Sequence, residues 1–153
     1  MELKEVKQLA KQLMTKWGCD DCKFAWNNRR RALGLVKWNR ITGTKELQLS
    51  RYFALANDFN EVKDVILHEI AHILAGPDQG HNAVWKAACR KVGARPERLN
   101  RTAKTAYKYQ LKCDCGCGTV AGGFFSKPRK DYTNYRLTTC STSTGLRVVE
   151  AYK

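Results

Sequence analysis

The chain has 153 residues, a hydrophobic content of 43% and a formal net charge of +14. This length fits one ordinary domain with a small appendage. It lacks the apolar run of about 18 residues that a membrane helix needs, and its charged start lacks a signal core. We therefore expect no membrane partner and a cytoplasmic location, at the nucleoid or, for a viral protein, in the host cytoplasm.

The positive charge is spread along the whole chain. Basic residues outnumber acidic ones both before and after residue 106. Such a surplus favours a polyanionic partner, DNA or RNA. The alternative is that the charge serves solubility alone.

The first half of the chain predicts one helix and three strands. Apolar residues at helical spacing predict a helix over 2–17, followed by Gly18. Two aromatic and aliphatic runs, 23–28 and 32–38, predict a β-hairpin with three arginines in its turn. Alternating leucines over 45–50 predict a third strand.

The strongest helical pattern covers residues 59–75. An N-cap at Asp58 or Asn60 and a stop at Gly76-Pro77 bound this predicted helix. Asn82 then caps a second helix over 83–93.

From Tyr107 the composition changes to Cys, Gly, Thr and aromatic residues in short strand-like runs. We therefore expect an α+β fold with one domain over residues 1–105 and a small β-rich subdomain over 106–153.

All three histidines of the chain lie within HEIAHILAGPDQGH, residues 68–81. His68 and His72 are four residues apart, so a helix would project both from one face. His81 follows the Gly76-Pro77 break and completes a set of three ligands. Because catalytic zinc takes three protein ligands and keeps one position open, this spacing predicts a catalytic zinc ion on His68, His72 and His81.

Glu69 stands beside the first zinc ligand and is the predicted catalytic residue. Zinc lowers the pKa of its bound water to roughly 7. Glu69 would accept the proton as this water attacks a peptide carbonyl, and would then pass it to the leaving amine. Asp64 and Asp78 are candidates for carboxylates that orient the histidines.

The segments EVKDVILHEIAHILAG and GHNAVWKAACRKVGARP, preceded by WNNRRRALGLVKWN and ELQLSRYFA, resemble the SprT-like (Spartan) zinc metalloprotease family. The resemblance implies a zincin-like metalloprotease domain followed by a C-terminal zinc ribbon. It also implies zinc ligands at His68, His72 and His81, with catalysis by Glu69. It further implies a zinc metallopeptidase that cleaves proteins bound or crosslinked to DNA.

Four cysteines near the C-terminus are candidates for a second, structural zinc ion. They are Cys113, Cys115, Cys117 and Cys140. The family's ribbon has a pair of cysteines near each end, whereas Ser143 stands here where the last would be. Two alternatives remain open: Cys117 takes that place, or the subdomain folds by packing without metal. For Cys19 and Cys22, two reduced thiols are the simplest interpretation.

Two basic clusters are candidates for DNA binding without sequence specificity, to single-stranded or distorted DNA. The first is Arg29, Arg30 and Arg31, close to aromatic residues. The second is Lys127, Arg129 and Lys130, in a segment that contains Phe124, Phe125 and Tyr132.

Two alternatives to a protease acting at DNA remain. One is a regulatory peptidase with a single specific protein substrate. The other is a non-catalytic, zinc-stabilised DNA-binding protein.

Overall fold

The computed structural model describes residues 1–98, 100 and 102–151, and the mixed α/β chain divides into two compact units, Met1–Ala106 and Tyr107–Lys153. The first unit contains α1 (Leu3–Lys16), β1 (Cys22–Asn27), β2 (Gly34–Trp38), β3 (Lys45–Ser50), α2 (Arg51–Ala56), α3 (Phe59–Ala75) and α4 (Ala83–Val92). The second contains β4 (Tyr109–Cys113), β5 (Val120–Phe124) and β6 (Leu146–Glu150). Within the described residues, no helix is both long and apolar enough to cross a bilayer.

The sheet of the first unit has the order β1-β3-β2. β1 runs parallel to β3, and β2 runs antiparallel to it. The predicted hairpin of 23–28 with 32–38 is therefore wrong, and residues 29–31 lie in a connection between strands that do not pair. β3 takes the centre because Leu47 and Leu49 are fully buried, and a central strand contributes most to the core.

Local signals account for the helices that carry the site. The Asp58 carboxylate accepts a hydrogen bond from the Glu61 backbone N–H at 3.0 Å and caps α3. α3 ends at Gly76, whose φ of 102° favours glycine. The helix predicted over 59–75 is thereby confirmed. The six-residue α2, capped by Ser50, was not predicted.

The second unit is a three-stranded antiparallel sheet of order β5-β4-β6. Its fully covered apolar core is small and consists of Leu111, Cys113 and Leu146. Phe124, Tyr132 and Val148 are among the partly buried residues that pack around it. A core of this size is marginal for an independent fold without a cross-link or a metal ion.

Candidate metal centre

Three imidazoles meet where α3 faces the start of α4. α3 presents His68 and His72 one turn apart, and the loop after Gly76 returns His81 to them. The Asn82 side chain accepts hydrogen bonds from the N–H groups of Val84 and Trp85, which begins α4 directly after this loop. The loop itself is tied to residue 40 by an ion pair between Arg40 and Asp78 at 2.8 Å.

The distances between the imidazole nitrogens fit a shared metal ion. The Nε2 atom of His81 lies 3.2 Å from that of His72 and 3.4 Å from that of His68. Tetrahedral coordination with metal–nitrogen bonds of about 2.0–2.1 Å separates its nitrogens by about 3.3 Å. The chemistry and the spacing of the three donors therefore suit one ion that all three imidazoles bind.

Trp85 packs against all three imidazoles. Its ring centroid lies 4.7 Å from His68, 5.2 Å from His72 and 4.5 Å from His81, and the His72 ring is stacked on it. Trp85 is fully buried and is part of the packed core of the first unit. It also limits the orientations open to the three rings, which restricts their freedom before any ion binds.

Burial keeps two of the imidazoles in the neutral form that binds metal. Desolvation lowers the pKa of His68 and of His72 to about 4. Desolvation, followed by the positive charge of Arg98, also lowers the pKa of His81. Neutral rings at pH 7 leave their lone pairs free for an ion, so protons compete weakly for this site.

Glu69 is buried beside these ligands, with 5% of its surface exposed. Desolvation raises the pKa of its carboxyl to about 8. Within the described residues its side chain has no hydrogen-bond partner, although it lines the same cleft as the three histidines. A buried carboxyl without a partner is costly to maintain for packing alone and is typical of a functional group.

We expect the metal-free chain to lose stability relative to Glu69→Gln as the pH rises from 4.5 to 8. The carboxyl keeps its proton up to about pH 8 in the folded chain, whereas the unfolded chain releases it near pH 4.5. Since the folded state then binds more protons, the free energy of unfolding falls as the pH rises through this interval. Urea denaturation of both proteins after metal removal measures the difference, and parallel pH profiles would contradict it.

The cleft has a volume of about 660 Å³, and two of the three arginines predicted near β1 to bind DNA form part of its wall. Arg30 and Arg31 line it together with His68 and Glu69. β2 contributes Gly34, Leu35 and Val36 to the same wall. The segment after α4 contributes Arg95, Glu97, Arg98, Asn100, Ala103 and Thr105.

The two carboxylates considered for orienting the histidines have other partners. Asp64 accepts hydrogen bonds from the backbone and the guanidinium of Arg95, both at 2.9 Å. Asp78 pairs with Arg40. The Glu61 carboxylate binds the same segment as Asp64, because it accepts hydrogen bonds from the side chains of Arg95, Asn100 and Thr102. The bonds of Asp64 and Glu61 fix the segment after α4 to α3, so these two carboxylates position a wall of the cleft. The bond of Asp78 fixes the loop between α3 and α4.

The four cysteines of the second unit also converge. Their sulfurs are separated by 3.2 Å (Cys113–Cys115), 3.5 Å (Cys115–Cys140), 3.8 Å (Cys117–Cys140) and 4.0 Å (Cys113–Cys140). A tetrahedral site with metal–sulfur bonds of about 2.3 Å separates its sulfurs by about 3.8 Å. All four sulfurs lie within 4.8 Å of one another. Cys117 therefore occupies the fourth corner of a possible metal site.

Ser143 and Thr119 act on this cluster through hydrogen bonds. The Ser143 hydroxyl accepts from the Leu137 backbone N–H at 3.1 Å. It also lowers the pKa of Cys113 by hydrogen bonding. A hydrogen bond between the Cys117 sulfur and the Thr119 hydroxyl, 3.2 Å apart, lowers the pKa of Cys117 to about 6. Thiolates are the form that binds metal, so both hydroxyls favour coordination.

The second basic cluster lies in the connection between β5 and β6, with Lys127, Arg129 and Lys130 exposed. The Lys130 ammonium lies 4.5 Å from the ring centroid of Tyr135 and 5.7 Å from that of Tyr132. This cation thus borders an aromatic pair whose centroids are 5.5 Å apart.

The other cysteines are outside both clusters. Cys19, Cys22 and Cys89 are buried free thiols, and burial raises the pKa of each. They therefore remain protonated at neutral pH and behave as small apolar side chains.

Sequence reasoning missed one contact at this site, the approach of Gly34 to Glu69. The isolated glycine in a strand-like run was the available signal, because such a glycine marks a bulge or a close approach by another group.

Comparison with known proteins agrees with this geometry. Residues 4–105, which include all of α1 except its first residue, all of α2 to α4 and the three histidines, match the SprT-like family. No curated protein matches the chain. The resemblance seen in the sequence is confirmed, and the chain belongs to the SprT-like family.

Proposed function

We propose that this chain is a zinc-dependent endopeptidase that cleaves proteins bound or crosslinked to DNA. The observation that carries the proposal is the meeting of three neutral imidazoles in a single cleft with one buried carboxyl, which has no partner among the residues that the structure describes. His68, His72 and His81 would hold the catalytic zinc ion. The ion supplies Lewis acidity, which makes water a better nucleophile and a carbonyl a better electrophile.

Glu69 has the position and the surroundings of a general base. Its carboxyl accepts a proton from the attacking water and delivers it to the leaving amine, so one group serves both halves of the reaction. The ionised form is favoured when a cation occupies the adjacent imidazoles, which offsets the burial that raises its pKa in the metal-free chain.

The open edge of β2 supports a polypeptide substrate. Among the described strands β2 pairs with β3 alone, and the Ser50 N–H donates to the Leu33 carbonyl at 2.8 Å. Because paired and unpaired positions alternate in an antiparallel ladder, the backbone groups of Gly34 and Val36 point away from β3. An extended peptide can bind such an edge by strand addition, beside the cleft that contains Glu69.

A face of the second unit supports binding of single-stranded DNA. Lys112 lies directly opposite Arg147 across the β4–β6 pair, although like charges at such positions are destabilising. Tyr107 packs onto Gly123 and is 45% exposed, with the Phe125 ring centroid 4.8 Å away. Two cations and an exposed aromatic ring suit phosphate contact and base stacking. Lys127, Arg129 and Lys130 remain further predicted contacts.

Single-stranded DNA should stimulate proteolysis of a DNA-binding substrate protein, and a chelator should abolish it. Lys112→Glu/Arg147→Glu should lose the stimulation and bind DNA at least tenfold more weakly, because phosphate contacts dominate such binding. Cleavage without DNA should persist. Gel assays of cleavage and fluorescence anisotropy measure the two effects.

The matched control is Lys4→Glu/Lys7→Glu, which makes the same charge change on exposed positions of α1. Equal loss in both double variants would assign the effect to overall charge. Proteolysis that DNA never stimulates would contradict the proposed substrate class and favour a regulatory peptidase.

A further inference from the structure

Gly34, the first residue of β2, lies against the side chain of Glu69. A Cβ atom placed on Gly34 would be 2.7 Å from both Cγ and Oε1 of Glu69 and 3.0 Å from its Cδ. Real Cβ atoms essentially never approach another heavy atom to less than 3.0 Å. The three nearest neighbours of this missing atom all belong to Glu69, so the close contact is specific to one side chain.

Packing determines where the Glu69 carboxyl lies. Its side chain is 5% exposed and has no hydrogen-bond partner among the described residues. The orientation of the Glu69 carboxyl is therefore fixed neither by a hydrogen-bond donor nor by an ion pair from the described residues. Gly34 forms the wall against the outer half of the side chain, and both residues line the same cleft.

Gly34 lowers the stability of the strand that contains it, and the strand conformation does not require a glycine at this position. Glycine weakens a strand because it adds backbone entropy to the unfolded chain and brings no side chain to pack. Gly34 is outside the set of glycines with positive φ, so no turn requires it. The space taken by Glu69 is the physical reason that remains.

We propose that Gly34 is a positioning residue for Glu69: the lack of a Cβ lets β2 hold the carboxyl at the cleft wall beside the three imidazoles. This inference rests on the proposed function, because it assigns Gly34 a role in the same reaction. Any larger residue must displace either the carboxyl or the strand. A displacement of about 1 Å in a reacting group is enough to slow catalysis strongly.

The kinetic test compares Gly34→Ala with the parent in zinc-loaded form. We expect kcat to fall tenfold or more, KM to stay within twofold and the zinc content to be unchanged. Gly122→Ala is the matched control, because Gly122 also lies in a strand and a Cβ there meets nothing within 4 Å. This control should keep the kcat of the parent.

A stability cycle tests the same contact without any activity measurement. Glu69→Ala removes all three atoms that the new Cβ would meet. We expect Gly34→Ala to lower the urea midpoint of the parent, and to cause less than a quarter of that shift in the Glu69→Ala background. If Gly34→Ala does not fold in the parent, recovery of folding in the Glu69→Ala background supports the inference equally.

The outcomes separate the two proposals. Equal shifts of the urea midpoint in both backgrounds, or a kcat for Gly34→Ala within threefold of the parent, would overturn the role of Gly34. A zinc-loaded parent without peptidase activity would overturn the proposed function, while the stability cycle would still report on the contact.

Discussion

The Glu69→Gln variant should lose peptidase activity by a factor of about 10² to 10⁴ in kcat/KM, the usual range for a removed general base. Glutamine has nearly the shape of glutamate but cannot accept the proton of the attacking water. Because residue 69 is not among the three proposed ligands, the variant should keep the zinc content of the parent. Proteolysis of an unfolded protein substrate and zinc analysis by atomic emission measure both quantities.

Glu97→Gln is the matched control for this experiment. Glu97 lines the same cleft but is exposed. Its replacement by glutamine therefore makes the same chemical change at the edge of the cleft and leaves the buried carboxyl of Glu69 in place. It should keep at least half of the parent's activity. Full activity in Glu69→Gln would remove the general base from the mechanism. A parent that is inactive with and without DNA would favour the non-catalytic, zinc-stabilised DNA-binding protein.

The sequence was sufficient to predict the helices that carry the candidate metal centre. Asp58 and Gly76 are neighbours of α3 in the chain and act through local backbone geometry, so both ends of this helix were readable. The i, i+4 spacing of His68 and His72 then follows from the helix itself. The approach of His81 to the other two imidazoles was predictable because the chain has no fourth histidine that could serve as a third candidate ligand.

The sheet was less predictable because strand pairing is a long-range choice. Adjacent strands along the chain often pair, which favoured a hairpin of 23–28 with 32–38. In the fold, β3 separates them because burying Leu47 and Leu49 between two neighbours covers more apolar surface. The contact of Gly34 with Glu69 depends on this arrangement. The glycine in a strand-like run signals that some group approaches closely, but no local pattern identifies that group as Glu69.

The cysteine cluster shows a different limit of sequence reasoning. The second cysteine pair of the family's ribbon is incomplete here, because Ser143 stands where its last cysteine would be. The sequence was therefore also compatible with a subdomain that folds without metal. The turn at Gly116 and Gly118, both with positive φ, is what lets three closely spaced cysteines face one point. That geometry follows from backbone conformation and could not be derived from the spacing alone.

Two zinc ions per chain are expected for the purified protein, and each should be removable separately. His68→Ala should leave one ion, and Cys140→Ser should leave the other. Loss of the structural ion should unfold the second unit, since its buried apolar core consists of only Leu111, Cys113 and Leu146 within the described residues. Structural zinc contributes about 10–16 kcal/mol in small zinc-stabilised folds, far more than such a core supplies.

Zinc analysis combined with hydrogen exchange distinguishes the two sites. In Cys140→Ser the amides of β4 to β6 should exchange at least a hundredfold faster, while those of α3 keep their protection. Cys89→Ala is the control, because this buried thiol lies outside both clusters and its loss should leave two ions bound. One zinc per chain in the parent, with unchanged exchange in Cys140→Ser, would instead mean that the second unit folds by packing alone.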